Sequence, residues 1–318
     1  MNKKIYSKKE IINAIKGIDL IDIIETGFVE YSKGNSVVPP VGELLFTDPP
    51  GDVHIKYGYI KGQDNYVVKI ASGFPENNKL GLSTSHGVMV MFDSRSGYLK
   101  CILHDEGYLT NVRTAVAGSI CAKYLAPKKV TKIGVIGTGI QARLQLKYLK
   151  YTTRCVDVMV LGRDSKKIND YIEDMRKEGF NLEVANNSKQ LCESCNLVVT
   201  ATSANESLIK KSDIKPGTHI TAVGSDTPEK RELDSNILGL ANIVVVDSVS
   251  QSVERGETKY ALDKNIINRS DLVELGDIIM KKNYGRSSEN DITVADLTGV
   301  AVQDIMITNK VYNNLNQL

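Results

Sequence analysis

The 318-residue chain is 42% apolar and 25% charged, the balance of an ordinary folded protein, and it exceeds the roughly 100–200 residues of a usual domain, so two domains are expected. Its 40 basic and 38 acidic residues leave a formal charge of +2, which gives no net attraction to phosphate polymers or anionic lipid surfaces; neither a nucleic-acid nor a membrane partner is expected. The opening MNKKIYSKKEIINAIKG breaks its apolar residues with charges, unlike a signal peptide, no run approaches the ~20 apolar residues of a membrane span, and the odd count of 5 cysteines fits reduced thiols, so a cytoplasmic location is expected.

Residues 5–32 space Ile11, Ile12, Ile15, Ile18, Leu20, Ile21, Ile24 and Phe28 at helical intervals and predict two short helices. From about residue 36 to 112 the texture changes to the β-rich runs VHIKYGYI, YVVKIASGF, HGVMVMFD and YLKCILHD. Turn signals such as DPPGD, KGQDN and DSRSG separate them, as in a mostly antiparallel sheet. Lys69 sits in the second run among Val67, Val68 and Ile70 and reads as partly buried, which is costly for an ammonium without an anionic partner. A helix is then predicted from Arg113 to Leu125, opened by a guanidinium able to grip a carboxylate at two points. For Lys69 and Arg113 alike, an internal salt bridge and a bound substrate carboxylate are both open. Cys101, Cys121 and Cys155 lie in apolar surroundings and read as small core residues.

Beyond that helix, KIGVIG, VDVMVLG, LVVTATS, HITAVG and NIVVVD alternate with amphipathic segments. This is the rhythm of a doubly wound α/β domain whose ligand lies at the carboxyl ends of parallel strands. The first of these strands runs directly into Gly137-Thr138-Gly139-Ile140-Gln141-Ala142 and then the helix RLQLKYLKY. The first glycine permits a tight turn, the second lets a pyrophosphate approach the backbone, and Ala142 allows close helix–strand packing. A dinucleotide, NAD(H) or NADP(H), is therefore the expected cofactor. The later strand ends, Ala201-Thr202-Ser203 and Val223-Gly224-Ser225, complete the expected binding set. At the end of the second strand, Gly162 stands where an NAD-selective site often carries an acidic residue. With Arg163, Ser165 and Lys166 nearby it leaves room and charge for a 2′-phosphate and tilts the expectation to NADP(H), although Asp164 can still face the ribose.

Cys192 and Cys195 form a CxxC without the second pair or histidine that a four-ligand zinc site needs, so no metal site is expected. The last segment, DITVADLTGVAVQDIMITNKVYNNL, reads as a strand, a glycine turn and a helix that returns to the first domain. The expected fold class is α/β: a Rossmann-type parallel-sheet domain over 117–299, plus an α+β substrate and dimerisation domain over 1–116 with 300–318. Of the histidines, His54 and His86 lie in or beside strands and His86 is a candidate to face substrate; His104 and His219 are expected to pack or face solvent.

Six segments in order, VVKIASGFPEN, GYLTNVRTAVAGSICAKYLAP, IGVIGTGIQARLQL, AVGSDTPEKREL, DSVSQSVERGE and ITVADLTGVAVQD, resemble the ornithine cyclodeaminase/mu-crystallin family along almost the whole chain. The resemblance implies a homodimer paired through the N-terminal domain, with a small amino or imino acid substrate between that domain and the nicotinamide. It implies that Lys69 and Arg113 hold the substrate carboxylate and that Asp226 is similar to the acid/base group of the cyclodeaminases. Two departures bear on the substrate. A further arginine of the cyclodeaminases has no match in VVPPVGELLF, and Lys56 stands where an ornithine-specific enzyme has an acidic residue. Lys56 would repel a distal ammonium and suit a second carboxylate, in the manner of iminosuccinate reductases and EutC-like proteins. The expected activity is NAD(P)H-dependent reduction of a small α-imino acid to an L-amino acid. The alternatives are an ornithine cyclodeaminase-type ammonia lyase that uses NAD+ catalytically, and a non-catalytic binder of nicotinamide cofactor or small ligands.

Overall fold

A computed structural model describes residues 4–281 and 285–316. The chain forms two compact units, Met1–Arg113 with Val300–Leu318, and Thr114–Gly299.

The first unit opens with β1 (Ile5–Ser7), α1 (Lys8–Ile15) and α2 (Ile21–Ser32), then β2 (Ser36–Val37), β3 (Gly42–Thr47), β4 (Pro50–Ile60), β5 (Asn65–Gly73), β6 (Ser85–Asp93) and β7 (Leu99–His104). The strands form one sheet in the order β1-β7-β6-β5-β4-β2, with β3 also on β4; all pairings are antiparallel except β1 with β7. Ile5–Ser7, expected within the helical stretch, is instead a parallel edge strand against Ile102–His104. The helix cannot start earlier, because the Ser7 N–H donates to Glu10 Oε2 at 3.0 Å and so caps it.

Alternation gives the sheet two faces. His54, Lys56, Ile60, Val67, Lys69, Met89, Met91, Cys101 and Leu103 lie on the buried one. The C-terminal helix covers it over β4 and β5, and Thr308 Oγ1 lies 3.0 Å from Met89 Sδ. The other face carries Ile55, Tyr57, Tyr59, Val68, Ile70, Val88 and Val90, of which Tyr57, Tyr59 and Ile70 are exposed. α3 (Tyr108–Leu125) begins five residues before the predicted Arg113. The cause is local: Glu106 and Gly107 take positive φ, and Asp105 Oδ2 accepts the Leu109 N–H at 2.7 Å, which starts the helix at Tyr108.

The second unit comprises β8 (Ile133–Ile136), α4 (Ile140–Leu149), β9 (Asp157–Leu161), α5 (Ser165–Lys177), β10 (Asn181–Val184), α6 (Ser188–Ser194), β11 (Leu197–Thr200), β12 (His219–Ala222), α7 (Asn236–Leu240), β13 (Ile243–Val246), α8 (Val249–Ser252), α9 (Glu257–Asp263), β14 (Leu272–Glu274), α10 (Leu275–Met280) and β15 (Thr293–Asp296). Its eight strands are all parallel, in the order β10-β9-β8-β11-β12-β15-β13-β14. Core residues of β8 and β11 alternate between two apolar clusters, one holding Ile136 and Val198, the other Ile133, Val135, Leu197 and Val199. Burial on both faces is why these strands read as continuous apolar runs. β10 and β14 are the two edges, short and partly exposed, and left no such run. The final helix, α11 (Ala301–Leu315), belongs to the first unit.

Cys192 and Cys195 pack into the core beside Leu191, and burial pushes both thiols up to about 12. His219 is fully buried between Thr293 Oγ1 at 2.8 Å and Thr221 Oγ1 at 2.9 Å; burial lowers its pKa to about 3, so the imidazole is neutral. Among the described residues no group of His, Cys, Asp and Glu could hold a metal ion, and no helix is long and apolar enough to cross a membrane.

Candidate cofactor and substrate sites

The strand order reverses at β8, which lies between β9 and β11, and Gly137 leads out of this strand at that switch point. Gly137 has φ of 121°, and a Cβ there would lie 2.5 Å from the Ala201 carbonyl oxygen, so only glycine fits. Gly139 is the N-cap of α4; a Cβ on it would meet nothing within 4 Å, and the first helical turn carries no acidic residue. Ala142 is fully buried, whereas Ile140 is 58% exposed. Open space above Gly139, backbone N–H groups of the first turn and the positive end of the helix dipole together fit a diphosphate.

At the end of β9, a Cβ on Gly162 would lie 2.9 Å from Thr138 Cγ2 and 3.0 Å from Ile168 Cγ1. Packing alone thus keeps an acidic side chain out of position 162. Arg163 is exposed, and Asp164 caps α5 by accepting the Lys167 N–H at 3.0 Å. Beyond β11 and β12 follow Ala201-Thr202-Ser203 and Val223-Gly224-Ser225. Asp226, next in the chain, is 44% exposed in its side chain and pairs with Lys230 Nζ at 2.6 Å.

In the first unit the sheet register sets Lys56 directly opposite Lys69, on the buried face. Lys69 Nζ lies 3.9 Å from Asp304 Oδ2, and Arg113 Nε donates to Asp304 Oδ1 at 3.0 Å. Arg113 Nη1 donates to Gln303 Oε1 at 2.8 Å. Relative exposures are 2% for Lys69, 3% for Arg113 and 1% for Asp304. The structure therefore brings Lys69 and Arg113 together around a carboxylate on α11, with Lys56 across the strand pair from Lys69. Neither Asp304 nor Gln303 stood out in the sequence, because their shared partner Arg113 lies 191 and 190 residues away, respectively. His86 does not join this group. It pairs with Ser72 on the opposite face and its ring lies 5.7 Å from that of His104.

The second unit buries several carboxylates. Asp296, at the end of β15, accepts from the Thr258 N–H and Oγ1, both at 2.9 Å, and burial raises its pKa to about 7; Glu257 is also pushed well up by burial and by the charges of Asp296 and Glu232. Between the ordinary Asp value near 3.8 and about 7, the unfolded chain holds fewer protons at this group than the native one. Its stabilising contribution is therefore full below that window and lost as pH rises through it. Asp296→Asn should flatten the fall of melting temperature between pH 4 and 7; an unchanged profile would remove Asp296 as its source.

A model of the ornithine cyclodeaminase/mu-crystallin family matches residues 1–318. An uncharacterised cyclodeaminase of Sinorhizobium fredii is 36% identical over 91% of this chain and 88% of its own length. Among solved structures, an archaeal alanine dehydrogenase dimer with bound NAD superposes with a TM-score of 0.91 at 29% identity, over 100% of this chain and 97% of that one. The Δ1-pyrroline-2-carboxylate reductase of Thermococcus litoralis, in complex with NADH and L-proline, gives 0.93 at 26% identity, over 99% and 98%.

Proposed function

The chain belongs to the ornithine cyclodeaminase/mu-crystallin family, and we propose that it is an NAD(P)H-dependent reductase that converts a small α-imino acid, dicarboxylic in preference, to an L-amino acid. The observation that carries this reading is the buried grouping of Lys69 and Arg113 around Asp304, with Lys56 beside Lys69. A buried cluster rich in cations is suited to an anionic substrate.

The hydride would come from a nicotinamide bound at the glycine turn. Lys69 and Arg113 hold the α-carboxylate and fix the imine carbon in one orientation, which lowers the entropic part of the barrier. Lys56 takes a side-chain carboxylate. Asp226, held by Lys230, manages the proton at the imine nitrogen. Gly137 to Ala142, the stretch Gly162–Asp164 and the ends of β11 and β12 bind the dinucleotide. Lys56 disfavours the distal ammonium of a diamino acid, which sets this reading above cyclodeamination. A homodimer fits the exposed apolar sheet face bearing Tyr57, Tyr59 and Ile70. The test is a panel of 2-keto acids with ammonia, followed by loss of reduced cofactor. Oxaloacetate is expected to outpace pyruvate, and no turnover with any member would overturn the reading.

NADP(H) is the preferred form in this proposal, since position 162 carries no carboxylate, Asp164 is engaged by its own helix, and Arg163 is exposed. Arg163→Ala should raise KM for NADPH about tenfold while leaving NADH nearly unchanged, the size of one charge-assisted contact. Equal effects on both cofactors would reverse this preference.

A further inference from the structure

Glu232 follows the loop that carries Asp226, is fully buried and lies outside every role assigned above. Its Oε1 accepts the Thr202 N–H and the Thr202 hydroxyl, both at 2.7 Å. Its Oε2 accepts the Gly224 N–H at 2.9 Å and the Thr200 hydroxyl at 2.7 Å. One carboxylate therefore ties the end of β11 to the end of β12 and closes the loop 224–232. A Cβ on Gly224 would meet Glu232 Cδ and Oε2 at 2.6 Å, so the approach admits only glycine. Glu257 holds this arrangement from behind, accepting the Glu232 N–H at 2.6 Å and the Leu233 N–H at 3.0 Å.

Each carboxylate oxygen takes one backbone N–H, and a backbone N–H cannot reverse its polarity. An amide at position 232 would aim its NH2 at Thr202 or at Gly224 in either orientation. The site thus requires a carboxylate, which distinguishes it from a spacer of the same shape. In a dinucleotide fold the ribose-binding position at the end of β9 places the adenosine half over β9 and β10. β11 and β12, across the switch point, would then face the nicotinamide half.

We propose that Glu232 is a positioning residue that sets the nicotinamide end of the cofactor site and the loop presenting Asp226. The inference rests on the cofactor-facing reading of residues 201–203 and 223–225. Glu232 touches neither cofactor nor substrate in this role; it acts through Thr202, Gly224 and the loop.

The test is calorimetric binding of NADH and of ADP-ribose, which lacks the nicotinamide ring, to wild-type protein and E232Q. The expected result is NADH weakened about tenfold or more, as for loss of a hydrogen bond to a charged group, with ADP-ribose held within about twofold. Thr200→Val, which removes one hydroxyl donor and keeps the carboxylate, should show the same pattern at about threefold, and it stands in if E232Q does not fold. Equal weakening of both ligands, or no weakening of either, would overturn the inference and leave the functional reading intact. Wild-type protein that binds neither ligand would overturn both.

Discussion

Asp304→Ala should cost about 3–5 kcal/mol of stability, as for removal of one partner from a buried ion pair, and lower the melting temperature by roughly 10 °C. Arg113 and Lys69, at 3% and 2% exposure, would each keep a charge in a site that water does not reach. Arg113 would lose its 3.0 Å bond and keep the one to Gln303; Lys69 would lose the anion at 3.9 Å. Asp304→Asn keeps an acceptor for Arg113 Nε and drops only the charge, so its loss should be smaller. A small dicarboxylate such as malate should recover part of the deficit in the alanine variant by supplying the missing anion, in proportion to its concentration. Scanning calorimetry with and without malate reads all three outcomes. A melting temperature within a degree or two of wild type would mean that Asp304 is not what balances the two cations.

Arg113→Lys should lower kcat/KM for the imino acid by about 10^2–10^3, since an ammonium cannot reproduce a planar two-point grip on a carboxylate. The affinity for NADH should stay within about twofold, because in the proposed reading Arg113 grips the substrate and the glycine turn Gly137 to Ala142 takes the dinucleotide. The split between substrate and cofactor separates a carboxylate-binding role from a purely structural one. Loss of NADH affinity in step with kcat/KM would point to general disruption. Arg113 also bonds Asp304 and Gln303, so the variant's melting temperature belongs with the kinetics.

The glycine turn was legible because strand, turn and helix are contiguous and each obeys a local rule: Gly137 for its φ, Gly139 for open space, Ala142 for packing. The alternation of β4 to β7 was legible for the same reason. What stayed hidden depends on distant partners. Lys69 was recognisable as costly if buried and Arg113 as able to grip a carboxylate, but the anion they share sits on the last helix. Glu232 lay in a charged stretch, EKRE, that reads as solvated surface; its four donors come from residues 200, 202 and 224. His86 shows the limit of proximity in sequence. It is the second residue of β6, the strand that pairs with Lys69, yet parity puts it on the opposite face, and register is set by the partner strand. Gly162 was ambiguous in another way, since a missing side chain makes room for a ligand or for Thr138 and Ile168 equally well.

Net reduction of an imino acid is decided by stoichiometry. Reduced cofactor consumed and L-amino acid formed would be measured in the same reaction, with oxaloacetate and ammonia as substrates and ornithine as the comparison. One NAD(P)H lost for each amino acid gained, with no ammonia released from ornithine, is the expected result. Ammonia and a cyclic amino acid formed from ornithine without net change in cofactor would rule out net reduction and establish the cyclodeaminase instead.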